Sequence, residues 1–212
     1  MTKTRLALSL ALAGAATAHA ADGTRVYAFT ALLDGKPIGE HRFTVVTEGA
    51  TRRVTVDADF NVKFLGFTAY RYRHHAEEQW AGDCLAALQS TTDDDGKPAR
   101  VKLVKTGDNL DITTTAGTKS ASGCLMTYAY WNPALRTQSR LLNPQNGQID
   151  AVKVERVATG RIAVGGKDVA ADDWRITGGE SPIDIWLDAQ GDWVGLDSVV
   201  AKGKHQLSYR AP

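Results

Sequence analysis

The sequence predicts an all-β fold: an antiparallel β-barrel or half-barrel, or alternatively a β-sandwich, with one irregular crossover segment. Residues 54–64 alternate strictly. Val54, Val56, Ala58, Phe60, Val62 and Phe64 share one face, and Thr55, Asp57, Asp59, Asn61 and Lys63 share the other. Such a period of two marks a strand with one dry and one wet face. Residues 70–80 alternate in the same way. Turn-forming clusters recur between short apolar runs, and no convincing amphipathic helix interrupts them.

The elements follow in order. Val26–Leu33 and Gly39–Thr47 flank Asp34-Gly35-Lys36-Pro37 and read as a hairpin. The strands 54–64 and 70–80 come next. Leu85–Thr92 and Arg100–Lys105 flank the turn Asp93-Asp94-Asp95-Gly96-Lys97-Pro98, and Gly107-Asp108-Asn109 leads into Leu110–Thr115. A dense irregular region then begins at Tyr128-Ala129-Tyr130-Trp131-Asn132-Pro133 and continues as Arg140-Leu141-Leu142-Asn143-Pro144-Gln145-Asn146-Gly147. Its two Asn-Pro steps mark turns, because a residue before proline is pushed out of the helical region. Pro133–Arg140 has room for one or two helical turns with Pro133 at the first position. The chain closes with strands near Asp173–Thr177, Ile183–Asp188, Trp193–Val200 and His205–Arg210, separated by Gly-containing turns.

Hydrophobic residues make up 43% and charged residues 23% of the 212, which excludes a disordered or fibrous chain. Lys3 and Arg5, then the apolar run Leu6–Ala16, then Ala18-His19-Ala20 form an export signal with cleavage after Ala20. Residues 22–212 are then expected to form a single β-rich domain, periplasmic or secreted in a bacterium. Without Lys3 and Arg5 the remainder has 23 basic and 24 acidic residues. No basic excess points to nucleic acid as a partner. No later stretch is long and apolar enough to span a membrane as a helix. Cys84 and Cys124 are the only cysteines, and an oxidising compartment makes one disulfide the default.

The strand 70–80 carries unusual chemistry. Arg71, Arg73, His75, Glu77 and Gln79 form a wholly polar face; Tyr70, Tyr72, His74, Ala76, Glu78 and Trp80 form an aromatic face that should turn inward. His74 and Glu78 are then about 13 Å apart along the strand, so each needs a partner from elsewhere. Two readings stand side by side. One is a polar cluster in a cavity with His74 as acid or base; the other is a core network satisfying both groups. The irregular region likewise reads either as a binding loop or as a crossover whose Trp and Tyr plug the interior. A Cys84–Cys124 bond would bring it close to the end of the 70–80 strand. The candidate ligand-binding residues are therefore Tyr70, Tyr72, His74, Glu78, Trp80, Tyr130, Trp131, Asn132, Arg140, Asn143 and Gln145. No metal ligand set and no cofactor motif is present: there is no G-x-S-x-G, no H-E-x-x-H and no P-loop.

The strings 33–43 (LLDGKPIGEHRF with its preceding residue), Tyr70-Arg71-Tyr72-Arg73-His74, Glu78-Gln79-Trp80, Cys84-Leu85, Tyr128–Pro133 and Leu141-Leu142-Asn143-Pro144-Gln145 together resemble a family of secreted bacterial proteins known only as a domain of unknown function. The resemblance covers nearly all of the chain after the export signal. It implies an exported protein and supplies no catalytic residues. The closing pattern around Ile185–Asp188 and Leu207–Arg210 is loosely similar to other β-rich envelope proteins.

The leading expectation is a periplasmic barrel-like protein that binds an apolar or amphipathic small molecule. The alternatives are an enzyme built on His, Glu and Tyr, and a structural or partner-binding envelope module. How far the interior is filled discriminates among them.

Overall fold

The computed structural model describes residues 22–64 and 67–212; the export signal proposed from the sequence lies outside them. Eight strands run in sequence: β1 (Gly23–Leu33), β2 (Lys36–Glu48), β3 (Thr51–Phe64), β4 (Phe67–Ala81), β5 (Cys84–Asp94), β6 (Lys97–Thr106), β7 (Asn109–Thr114) and β8 (Gly117–Ser122). A crossover follows with β9 (Met126–Thr127), a 3-10 helix (Pro133–Thr137), β10 (Arg140–Leu142) and β11 (Ile149–Ala151). The C-terminal part holds β12 (Lys153–Val164), β13 (Lys167–Thr177), β14 (Ile183–Asp188), β15 (Trp193–Val200) and β16 (His205–Arg210).

Thirteen strands make one antiparallel sheet in the order β12-β13-β14-β15-β16-β1-β2-β3-β4-β5-β6-β7-β8. β16 pairs with β1, with Ala31 opposite Tyr209, so both ends of the described chain meet at the middle of the sheet. β8 and β12 do not pair, and the sheet stays open. Both edges are blunted: β8 is six mostly exposed polar or small residues, and β12 carries a register shift between Arg156 and Ala158. The architecture is thus barrel-like and unclosed, rather than two separate sandwich sheets.

Local sequence explains the tight connections. Asp34-Gly35 and Asp95-Gly96 take positive φ at both positions (49° and 77°; 51° and 81°). Such two-residue turns match the twist of the strands they join.

The inner face is apolar. Phe29, Phe43, Val54, Val56, Leu88, Leu103 and Ile112 belong to one core together with Leu125, Met126, Leu141 and Leu142 of the crossover. The crossover therefore packs on the inner face. The Leu85 amide donates to the Leu125 carbonyl at 2.9 Å, and the Ser90 hydroxyl donates to the Pro144 carbonyl at 2.5 Å. β9 and β10 pair in parallel, and β10 and β11 antiparallel, which satisfies this segment's backbone inside the curl. Cys84 and Cys124 form a disulfide with Cα atoms 5.0 Å apart, fastening the start of the crossover to the end of the β4–β5 hairpin.

Candidate functional site

β4 positions the central side chains. His74 and Glu78 are only 6% and 4% exposed, Trp80 is buried, and Tyr70 and Tyr72 are half-buried. Arg71, Arg73, His75, Glu77 and Gln79 are exposed. On that outer face His75 Nδ1 lies 2.7 Å from Asp57, and Arg73 lies 3.4 Å from Asp59. A one-residue slip would bury these charges, so the pleat fixes the register.

Glu78 belongs to the filled half of the interior. Its Oε2 accepts from Trp80 Nε1 at 2.9 Å. Burial pushes its carboxyl up to about 7, held back by the donors of Trp80 and Thr127. Trp80 meets Trp131 edge to face at 5.4 Å, and the Arg52 guanidinium lies over the Trp131 ring at 5.5 Å. Glu78, Trp80 and Trp131 thus seal the disulfide end of the curl against the crossover.

His74, on the same face, bonds towards β5. Its Nδ1 is hydrogen-bonded to Thr92 Oγ1 at 2.9 Å. Burial, then the neighbouring His75, pushes the imidazole down to about 4. In register, Phe29 faces His41, His41 faces Ala58, Ala58 faces His74, and His74 faces Thr92. The next row runs Tyr209, Ala31, Gly39, Phe60, Tyr72. Ala31, Gly39 and Ala58 are small residues beside large rings, and Ala31 and Ala58 are buried. Gly39 is required there, because a Cβ would lie 1.9 Å from the Asp59 carbonyl oxygen.

His41 is the least satisfied group among these rings. Both ring nitrogens are buried and, among the described residues, without a hydrogen-bond partner. Its ring packs against Phe43 (4.6 Å) and edge-on to Tyr209 (5.1 Å). Burial, with a further contribution from His74, pushes it down to about 3. Tyr130 reaches in from the crossover, 5.1 Å from the Trp193 ring and 6.4 Å from Phe43. Burial raises the Tyr72, Tyr130 and Tyr209 hydroxyls, and each of Tyr72 and Tyr130 also senses Tyr209. His41, Tyr72 and Tyr130 are half-buried.

The remaining candidates sit in turns. Asn132 caps the 3-10 helix by accepting from the Ala134 amide at 3.0 Å and donates to Asp83 at 3.1 Å. Arg140 donates to the carbonyls of Ser122 and Cys124. Asn143 accepts from the Gln145 amide at 2.9 Å, and Gln145 is exposed. Tyr70 donates to Asp94 at 2.6 Å. The structure therefore gathers Tyr72, His74 and Tyr130 in or beside this aromatic cluster, groups Glu78, Trp80 and Trp131 apart from them, and leaves the other five in turns or at the surface. His41, Phe60, Trp193 and Tyr209 complete the cluster and were not singled out from sequence. The inward alternation Gly39, His41, Phe43, Val45 is the signal that places His41.

Two open clefts lie elsewhere. One of about 620 Å³ crosses the outer face at His75, Glu77, Gln89, Arg100 and Lys102; another of about 440 Å³ is lined by Arg136, Asp172, Trp174 and Asp188. Neither includes a sequence-predicted candidate. Among the described residues, no three His, Cys, Asp or Glu side chains converge to hold a metal, and no helix is long and apolar enough to cross a membrane.

Residues 29–210, which hold all of these side chains, match one family along their length. The chain belongs to the Domain of unknown function family DUF6134. This DUF6134 chain is similar in fold to the crystal structure of a β-barrel-like protein of domain of unknown function DUF1849 from Brucella abortus. The TM-score is 0.60 at 10% identity, over 91% of this chain and 97% of that one. At that identity the likeness concerns the fold alone. No curated protein matches the chain.

Proposed function

We propose that this DUF6134 protein is exported and binds one apolar or amphipathic small molecule at the aromatic cluster around His41, formed by β1–β4, β16 and Tyr130. The observation that carries the reading is His41: two buried ring nitrogens with no partner among the described residues, set among aromatic rings. A buried polar group left unpaired costs about 1–3 kcal/mol, and a ligand's polar atom can supply the missing bond. The aromatic walls match the mostly apolar lining of small-molecule sites. Export is supported by the N-terminal charge-apolar-small pattern and by the disulfide.

A structural or partner-binding role finds its support in the filled half, where the chain's own crossover occupies the interior. An acid–base enzyme finds less support, because Glu78 bonds to Trp80 while His74 bonds to Thr92, four residues away on the same strand. The test is native mass spectrometry of the protein purified from an oxidising compartment. A small molecule released on denaturation, and missing from a His41→Phe variant, is expected. An empty protein that also ignores a library of amphiphiles would favour the module. N-terminal sequencing of the same material is expected to start at Ala21.

A further inference from the structure

We infer that the outer-face cleft across β4–β7 binds an acidic sugar: one carboxylate carried on a hydroxyl-rich ring. This goes beyond the reading of the inner aromatic cluster and does not rest on it, because the cleft lies on the opposite face of the sheet. Its volume of about 620 Å³ falls in the range of small-molecule sites. The strand register builds it as two polar rows. In one, His75 faces Thr91 and Thr91 faces Arg100. In the other, Glu77 faces Gln89, Gln89 faces Lys102, and Lys102 faces Thr113. All of these side chains are exposed and line the cleft.

The two cations of this grid have no acid beside them. Arg53, Arg73, Arg161 and Arg175 each pair with an acidic side chain. Among the described residues Arg100 and Lys102 do not, and the neighbouring strands face them with Thr91, Gln89 and Thr113, all neutral. They share one face of β6, about 7 Å apart along the strand. One carboxylate can therefore meet both, and the guanidinium can take it through two parallel bonds. The β4 wall has the opposite need. Asp57 holds His75 at Nδ1 (2.7 Å), and among the described residues the Glu77 carboxylate has only the His75 ring near it, at 3.9 Å. Glu77 lies two strand spacings, about 10 Å, from Lys102. It would repel a second carboxylate and accept bonds from hydroxyls. Between the two walls, Gln89 and Thr91 can both donate and accept. An acid with an apolar body would cover these groups without bonding them, and an amine would face Arg100 and Lys102.

The test is two-dimensional NMR of the backbone amides at neutral pH and low salt, titrated with glucuronate, glucose and hexanoate. These carry the carboxylate with the ring, the ring alone, and the carboxylate alone. Glucuronate is expected to shift amides of β5 and β6 and to bind at least about threefold tighter than the other two. Arg100→Gln and Lys102→Gln should each weaken it by about two- to fivefold, the range of a solvent-exposed charge pair. Added salt should weaken it as well. Both side chains are exposed, so the melting temperature should stay in place. Methyl glucuronide separates the sources: binding equal to glucuronate marks a residue within a glycan, and loss of binding marks a free sugar acid. Glucose or hexanoate binding as tightly as glucuronate overturns the proposal. So do shifts confined to other strands, an affinity unchanged in both variants, or no shift with glucuronate at tens of millimolar.

Discussion

The two halves of the interior obey one alternation rule and meet opposite fates. Around Glu78 the chain fills its own sheet: Trp80 donates to the carboxylate, Trp131 packs on Trp80, and Ser90 holds the Pro144 carbonyl. Around His41 the same inner face is left with small residues, half-buried tyrosines and two unpartnered nitrogens. Inward-facing polar residues therefore carry no single meaning. Glu78 is paired and both His41 nitrogens are not, while the filled half keeps one buried unpartnered atom of its own, Trp131 Nε1.

The largest expected effect is on the filled half. The disulfide closes a loop of sequence separation 40, and its loss should remove roughly 4 kcal/mol of stability by the chain-entropy estimate. Denaturant curves with and without reductant check this; an unchanged midpoint means the crossover holds its place unaided.

The pH dependence separates the halves next. Glu78 is raised from 4.5 to about 7, so the folded state holds its proton more tightly; that contribution is full below 4.5 and is lost as pH rises towards 7. His41 and His74 are lowered from 6.5 to about 3 and about 4, so their contribution is full above 6.5 and is lost as pH falls. Between those limits two histidines outweigh one carboxyl. Stability should fall with falling pH by about 1.4 kcal/mol per pH unit, one net proton. Glu78→Gln should roughly double that slope, and His41→Phe should nearly flatten it. Melts from about pH 4.5 to 6.5 decide, and equal slopes in all three proteins would refute the opposed roles.

Gly39→Ala should destabilise clearly, because its Cβ would meet the Asp59 carbonyl and push β2 off β3. Asn132→Ala should cost about 1 kcal/mol through the lost cap. The smallest effect is expected for His41→Phe at neutral pH. Removing two unpaired nitrogens should leave stability within about 1 kcal/mol, or raise it. A large loss there would show that His41 has a partner in the folded protein and erase the contrast between the halves.

The strands were legible from sequence where period and punctuation agree. Val54–Phe60 and Tyr70–Trp80 alternate cleanly, and Asp34-Gly35 and Asp95-Gly96 are turns with a steric reason. The inward face of β4 could be read because the alternative face buries Arg71 and Arg73. The site was legible only in part. His41 sits in a plain-looking strand, and its interest depends on Ala58 and Tyr209 being next to it. Conversely Arg140, Asn143 and Gln145 look like ligand residues, yet their bonds close local turns.

What the sequence by itself determined is the strands bounded by turn clusters, the inner faces of β3 and β4, and the cysteine pair, because these follow from local sterics, period two and residue count; β8 and β12, mostly exposed and without a dry face, were not read from it. What only the tertiary structure decided is which polar groups are paired. β16 pairs with β1, the crossover enters the curl, and Ala31, Gly39 and Ala58 become neighbours, all through contacts between residues far apart in the chain. Hydrogen-bond satisfaction is a property of such neighbours, so Glu78 and His41 look alike along the chain and differ once it is folded.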